Sequence, residues 1–394
     1  MRVKLTGTNG ETGELRALCG VCMQDPSLVD PQGQRFFEAL PDRWRDLPKS
    51  LIRHPNGSAI YSIDSAQDAK FLLARDTILA EQPGSVGWQI DFPPQLPAST
   101  LTSWANDRLE RISFGNEPPN HIPSVWADGD EYADDFRAFY DACPEAYKDL
   151  VWFQSGKPEV IRYGADVGLG AQAIAKHQSV IDAMEAVVAE GYPARVMTTH
   201  KMDDRYPTDK LAFYREIMND YRASYGTGVK VVFTELKWKA AVVVDLDSLL
   251  AMAEAMLILA RLKQEYPSNL VGAAYQQGSG AGTINLIGRD QSNVWTWTAQ
   301  GALWNLFAGK LMRCTYLGSE STDRPDGVQV EIVRSCGRTY AMYSNTTQDA
   351  VSINGRGSQI IYFDSDLTKK VGTFTGSLPA RSCGVVQLFG KRFT

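Results

Sequence analysis

Histidine is scarce in these 394 residues, with four in all, and no two stand at the spacing that holds a metal ion. A metal-dependent enzyme is therefore a weak reading, and neither a metal site nor a cofactor is expected. The six cysteines, at 19, 22, 143, 314, 336 and 383, are too few and too scattered for a disulfide scaffold, so they read as reduced core thiols. Cys19-Gly-Val-Cys22 has redox or half-zinc spacing, but no second pair completes a zinc site, and residues three apart on a strand point to opposite faces. No dense run of Lys or Arg occurs, and 40 basic against 46 acidic residues leave a net charge of -6, which argues against nucleic acid and anionic lipid as partners. No stretch approaches the roughly 20 apolar residues of a membrane span. The opening Met1-Arg-Val-Lys-Leu-Thr-Gly7 lacks a charged start followed by a long apolar run, so the default expectation is a cytoplasmic protein. The glycosylation-like triplets Asn56-Gly-Ser58 and Asn345-Thr-Thr347 then read as chance.

What is present is enough for a large core: 44% hydrophobic and 22% charged residues, the ordinary globular balance. Apolar runs that finish in polar residues recur eight times: Leu15–Met23, Ser50–His54, Val86–Asp91, Arg111–Glu117, Leu150–Gln154, Ala194–His200, Val229–Glu235 and Leu270–Tyr275. Helical periodicity fills the intervals, over Phe36–Trp44, Ala66–Ala80 behind a capping Ser65, Glu131–Tyr147, Gln172–Glu190, Asp209–Tyr225 and Asp247–Tyr266, and follows the last run at Val294–Leu306. The strand ends lie roughly 26 to 46 residues apart, the length that a right-handed strand-helix-strand crossover needs. Eight such units with no Gly-rich dinucleotide turn favour a closed (β/α)8 barrel over an open doubly wound sheet. After about residue 310 the texture changes to short alternating runs, Val328–Val333, Thr339–Tyr343, Gln359–Phe363 and Cys383–Phe389, parted by Gly, Asn and Asp turns. The expected division is a barrel over 15–309 and a small C-terminal antiparallel β-sandwich over 310–394, to which 1–14 can add a strand.

A barrel of this kind carries its site at the C-terminal ends of the strands, so the polar residues that close each run are the candidates. Run four closes Gly115-Asn116-Glu117-Pro118 and run seven closes Thr234-Glu235, two carboxylates facing one pocket. An acetal resists hydroxide. Its cleavage needs the leaving oxygen protonated by one carboxyl while a second, ionised, meets the developing oxocarbenium ion. Asn-Glu-Pro alone is a common tripeptide that also caps helices; it is the pair, at the fourth and seventh positions, that points to glycoside chemistry.

Those residues resemble the signatures of the retaining clan A glycoside hydrolases, closest in flavour to the heparanase and β-glucuronidase-like families. The likeness covers nearly the whole chain, because those enzymes also place a small β-sandwich after the barrel. It implies a retaining β-glycoside hydrolase acting on an oligo- or polysaccharide, with Glu117 as acid/base and Glu235 as nucleophile. It further implies that Asn116 binds the sugar 2-hydroxyl, that Arg53 sits beside the nucleophile, and that His200 supports the site. Trp238, three residues after Glu235, is the candidate to stack on a pyranose face. Tyr275 and Gln276, closing run eight where many clan members carry a tryptophan, stand as substrate-binding residues. Asp91 and Gln154 are weaker sugar ligands, since loop solvation accounts for either. For a uronic acid substrate, Lys201, Arg205 and Lys237 are the available cations. The rival reading is a non-catalytic carbohydrate-binding or structural barrel, for example a virion component, since no secretion signal is seen for an enzyme whose polymer lies outside the cell.

Overall fold

A computed structural model describes residues 2–22, 45–53, 60–61, 72, 75–76, 79–80, 82–201, 209–237, 245–275, 286–289, 295–320 and 325–389; within these, the side chains of 6–14, 199–201, 235, 237, 288–289 and 295 lie outside the description. Eight parallel strands close a barrel: β1 (Gly20–Cys22), β2 (Leu51–Arg53), β3 (Gly87–Phe92), β4 (Leu109–Phe114), β5 (Val151–Gln154), β6 (Arg195–Lys201), β7 (Lys230–Lys237) and β8 (Leu270–Tyr275). β8 pairs β1, with Ala274 opposite Gly20, and no edge is left open. The strands read as apolar runs because both of their faces are covered. Ile52, Ile90, Phe92, Ile112, Phe114, Val151, Phe153, Val231 and Phe233 belong to the outer core beneath the helices, while Trp152, Met197 and Val232 fill the barrel itself.

The outer layer includes α1 (Gly129–Ala142), α2 (Ala171–Ala189), α3 (Lys210–Tyr225), α4 (Leu246–Glu265) and α5 (Ala299–Leu311). Local chemistry starts them: Asp128 accepts the N–H of Glu131, Asp245 and Ser248 form a reciprocal capping box, and Thr298 accepts the N–H of Gly301. α5 begins later than the periodicity of Val294–Leu306 suggests. Trp295–Trp297 forms an antiparallel ribbon with Ile287–Arg289, and the Thr298 cap then sets the first turn. The expected helix over Phe36–Trp44 lies outside the described residues. No helix among the described residues is long and apolar enough to cross a membrane.

The C-terminal β-sandwich has a seven-stranded and a three-stranded sheet. The larger runs Lys370–Thr373, Gly357–Phe363, Ser382–Leu388, Arg338–Asn345, Val328–Ser335, Cys314–Glu320 and Leu5–Glu14; the smaller joins Arg2–Val3, Val351–Ile353 and Ser377–Leu378. Along Arg338–Asn345 the apolar residues in the middle of the strand serve both faces. Ala341 and Tyr343 face the core between the two sheets, and Tyr340 and Met342 face the core shared with the barrel. At that seam the α4 residue Arg261 meets two fully buried carboxylates, Glu320 at 2.8 Å and Glu331 at 2.7 Å. Tyr316 Oη and Gln329 Nε2 also donate to Glu331, each at 2.6 Å.

Arg261 thus faces two carboxylates that are both 0% exposed. Burial above all, with the charge of Glu320, pushes Glu331 up to about 8 against the opposing pull of Arg261. A carboxyl raised above its ordinary value of 4.5 contributes stability that is complete below about pH 4.5 and is lost as pH rises through about 8. The denaturant midpoint is therefore expected to fall between pH 5 and pH 9, with a shallower slope in Glu331→Gln. Equal slopes in the two proteins would remove the seam as the cause.

Candidate active site

Strand parity carries a set of polar side chains to one end of the barrel. Ile52 points outward and Arg53 inward; Ile90 and Phe92 outward and Asp91 inward; Phe114 outward and Ser113 inward; Phe153 outward and Gln154 inward. Asp91 and Gln154 are thus buried members of the barrel and not solvated loop residues, because each is the last inward position of its strand.

Arg53 and Asp91 are each 0% exposed. Arg53 Nε donates to Asp91 Oδ1 at 3.0 Å and Nη2 bonds Asp91 Oδ2, a two-point pairing of guanidinium and carboxylate. The same Nη2 donates to Asn116 Oδ1 at 2.9 Å, and Nη1 donates to Cys22 Sγ at 3.7 Å. Gln154 Nε2 reaches the same Asn116 oxygen at 3.4 Å. Arginine can only donate, so it fixes the amide: the oxygen of Asn116 is consumed by Arg53 and Gln154, and its NH2 is the group left for a ligand.

β4 ends at Phe114, and the chain then turns through two left-handed residues, Gly115 with φ 69° and Glu117 with φ 45°. A Cβ at Gly115 would lie 3.1 Å from Trp126 Cη2, so both backbone angle and space call for glycine. Glu117 adopts the same region despite its side chain, at a cost of roughly 1–2 kcal/mol. Neighbours hold it there. The phenol of Tyr61 accepts the N–H of Asn116 at 2.8 Å and donates to the Asn116 carbonyl at 2.6 Å. Gln154 Oε1 accepts the N–H of Glu117 at 3.1 Å, and Tyr132 Oη ties the Gln154 N–H (2.9 Å) to the Phe114 carbonyl (3.2 Å). Burial pushes the phenols of Tyr61 and Tyr132 up, so both remain neutral hydrogen-bonding groups.

The Glu117 carboxylate is one-fifth exposed. Lys157 Nζ lies 2.8 Å from Oε1, and Asn120 Nδ2 donates to Oε2 at 3.0 Å. Lys157 is set by its own backbone, whose N–H donates to His177 Nδ1 on α2 at 3.0 Å. That bond defines the imidazole tautomer, with Nδ1 the acceptor, and burial followed by the charge of Lys157 lowers His177 to about 4. The His121 ring packs against Tyr61 at a tilt of 45°, with ring centroids 4.0 Å apart, and burial lowers its pKa while Glu117 pulls the other way.

Across the barrel, β7 is irregular at the second carboxylate. Ala273 and Tyr275 of β8 pair with Phe233 and Leu236, while Thr199 and Lys201 of β6 pair with Thr234 and Lys237. β7 therefore holds one residue more than either neighbour, and 235 is the position common to both offsets, a β-bulge at the C-terminal rim. The backbones of Glu235 and His200 lie in β7 and β6, but their side chains lie outside the described residues, as do Trp238, Gln276 and Arg205 altogether and the side chains of Lys201 and Lys237.

Tyr275 is placed elsewhere than its strand-end position suggested. It belongs to the outer core, its ring 5.6 Å from that of Trp304 and its hydroxyl donating to Gln300 Oε1 at 3.2 Å. A strand end has two faces, and Tyr275 occupies the one under α5. Trp88, Trp126 and Trp152 are likewise buried in the core. Tyr61, Lys157 and His177 were missed by sequence reasoning. Only Lys157 left a trace, as a lone cation three residues beyond a strand end. Among the described residues no group of three or more His, Cys, Asp or Glu converges as metal ligands would.

This architecture, an eight-stranded barrel with a β-sandwich beside it, is the fold of the clan A glycoside hydrolases. Among solved structures, the chain is similar to a glucosidase from Croceicoccus marinus at 12% identity and a TM-score of 0.61, covering 100% of this chain and 99% of that one. It is similar also to a family 51 α-L-arabinofuranosidase from Bifidobacterium longum, at 10% identity and a TM-score of 0.64, over 98% of this chain and 100% of the other. A 4-O-α-L-rhamnosyl-β-D-glucuronidase from Fusarium oxysporum shares 13% identity at a TM-score of 0.57, over 98% and 99% of the two chains. At these identities the likeness is one of fold. No protein-family model matches the sequence, and no curated protein does.

Proposed function

We propose that this protein is a retaining β-glycoside hydrolase acting by double displacement on an oligo- or polysaccharide. The observation that carries the reading is Glu117. A strained, left-handed carboxylate at the β4 rim is held by a buried lattice of Arg53, Asp91, Asn116, Gln154 and Tyr61, more support than a helix cap requires. The β7 bulge supports Glu235 as its counterpart, since bulges in strands recur next to active sites. In this reading Glu235 attacks the anomeric carbon while Glu117 gives its proton to the leaving oxygen and the C–O bond breaks. Glu117, now ionised, then takes a proton from the water that cleaves the glycosyl ester. Asn116 donates its NH2 to the sugar 2-hydroxyl, and Arg53 is the cation that holds Glu235 ionised.

The test separates the two carboxylates by product. Sodium azide added to Glu235→Gly is expected to yield the α-glycosyl azide, and to Glu117→Gly the β-glycosyl azide, from aryl β-glycosides. A panel of aryl glycosides and neutral and acidic polysaccharides defines the sugar. Binding without turnover across that panel, in a protein whose carboxylate variants bind equally well, would replace this reading with that of a carbohydrate-binding barrel.

A further inference from the structure

From the contact between Lys157 and Glu117 we infer that Lys157 is a positioning residue that favours the ionised form of the acid/base and so lowers the pH at which Glu117 changes from proton donor to proton acceptor. The inference rests on the hydrolase reading above. Among the described residues, Lys157 at 2.8 Å from one carboxylate oxygen and Asn120 at 3.0 Å from the other are donors, and donors to both oxygens favour the charged form. That suits the second step, in which Glu117 must accept a proton from water. It opposes the first, in which Glu117 must already carry one.

The lysine is placed by design of the loop. Its N–H is held by His177, the preceding Gly156 carbonyl accepts from Tyr221 Oη at 3.3 Å, and Pro158 opens the helix that follows. A Cβ at Gly156 would lie 2.2 Å from the His177 carbonyl oxygen, so the loop is pressed onto α2. With the backbone fixed, only the flexible four-carbon stem of Lys157 can change its distance from Glu117. The other described titratable groups around the carboxylate do not replace it. His177, lowered to about 4, and His121, lowered by burial, are neutral near pH 7. Tyr61 is a neutral phenol, and the charges of Arg53 and Asp91 oppose each other. Among the described residues, Lys157 is in direct contact with the Glu117 carboxylate.

The experiment compares wild type, Lys157→Gln and Lys157→Arg. An opposite charge in contact lowers a carboxyl pKa by about 1–3 units, and partial exposure sets the low end here. In Lys157→Gln, the alkaline limb of kcat/KM on unactivated glycosides, where protonated Glu117 is required, is expected to move up by about one pH unit. The acid limb of kcat on activated aryl glycosides, where breakdown of the ester requires ionised Glu117, moves up with it. Lys157→Arg keeps the wild-type limbs. Carbon-13 titration of the Glu117 carboxyl gives the same shift without turnover. An unmoved titration in Lys157→Gln overturns the inference, as does Lys157→Arg behaving like Lys157→Gln. If the titration moves while wild type and Glu117→Gln alike hydrolyse none of the glycosides, the electrostatic contact stands and the hydrolase reading falls.

Discussion

Glu117→Gln is expected to lower kcat/KM on unactivated glycosides by about 10²- to 10⁴-fold, the span that a positioned proton donor contributes. The loss should shrink steeply on aryl glycosides whose phenol leaves without protonation. Glutamine matches the size of the carboxylate and still accepts from Asn120, so the left-handed turn and its lattice are preserved. The variant loses its ion pair with Lys157, which, at about one pH unit in the Glu117 titration, is worth about 1.4 kcal/mol, a small part of the total stability. Folding stability therefore stays near wild type while turnover collapses. Kinetics on a series of leaving groups, beside a denaturation curve, check both halves. A uniform loss over the whole series would assign Glu117 a role other than proton transfer.

Asp91→Ala should be costly in a different way. The substitution strands the guanidinium of Arg53 at zero exposure without its counter-ion, and breaking a buried pair on one side costs about 3–5 kcal/mol. Against a typical stability of about 5–15 kcal/mol, this lowers the denaturant midpoint severely with the slope nearly unchanged. Activity falls too, because Arg53 no longer has a fixed position from which to hold the Asn116 oxygen. Replacing both partners, Arg53→Met with Asp91→Leu, should restore much of the stability and none of the activity. Recovery of activity in the double variant would show that the pair serves the fold alone.

The barrel was legible in the sequence because its strands, covered on both faces, are short apolar runs with polar ends, and the helices between them have their own period. Asn116 and Glu117 were legible for the same reason, standing just past one such run. Tyr275 misled because a strand end has an inward and an outward face; by the parity of β8 it points into the layer beneath α5. Asp91 and Gln154 looked like loop residues until the parity of β3 and β5 turned them inward. Tyr61, Lys157 and His177 left little or no pattern, because each acts through a residue 20 to 55 positions away. Contacts of that kind arise from closure of the barrel and have no local signature.

The pairing of Leu5–Glu14 with Cys314–Glu320, and of Arg2–Val3 with Val351–Ile353, has a temporal side. On a ribosome adding about 5–20 residues per second, these early strands wait roughly 15–70 s for partners about 300–350 residues downstream. The whole barrel is synthesised in that interval. The nascent chain must carry an unsealed β-edge past the ribosome exit until the last sheet arrives, so slowing translation late in the message should expose that edge to chaperones for longer, and speeding it should shorten the wait.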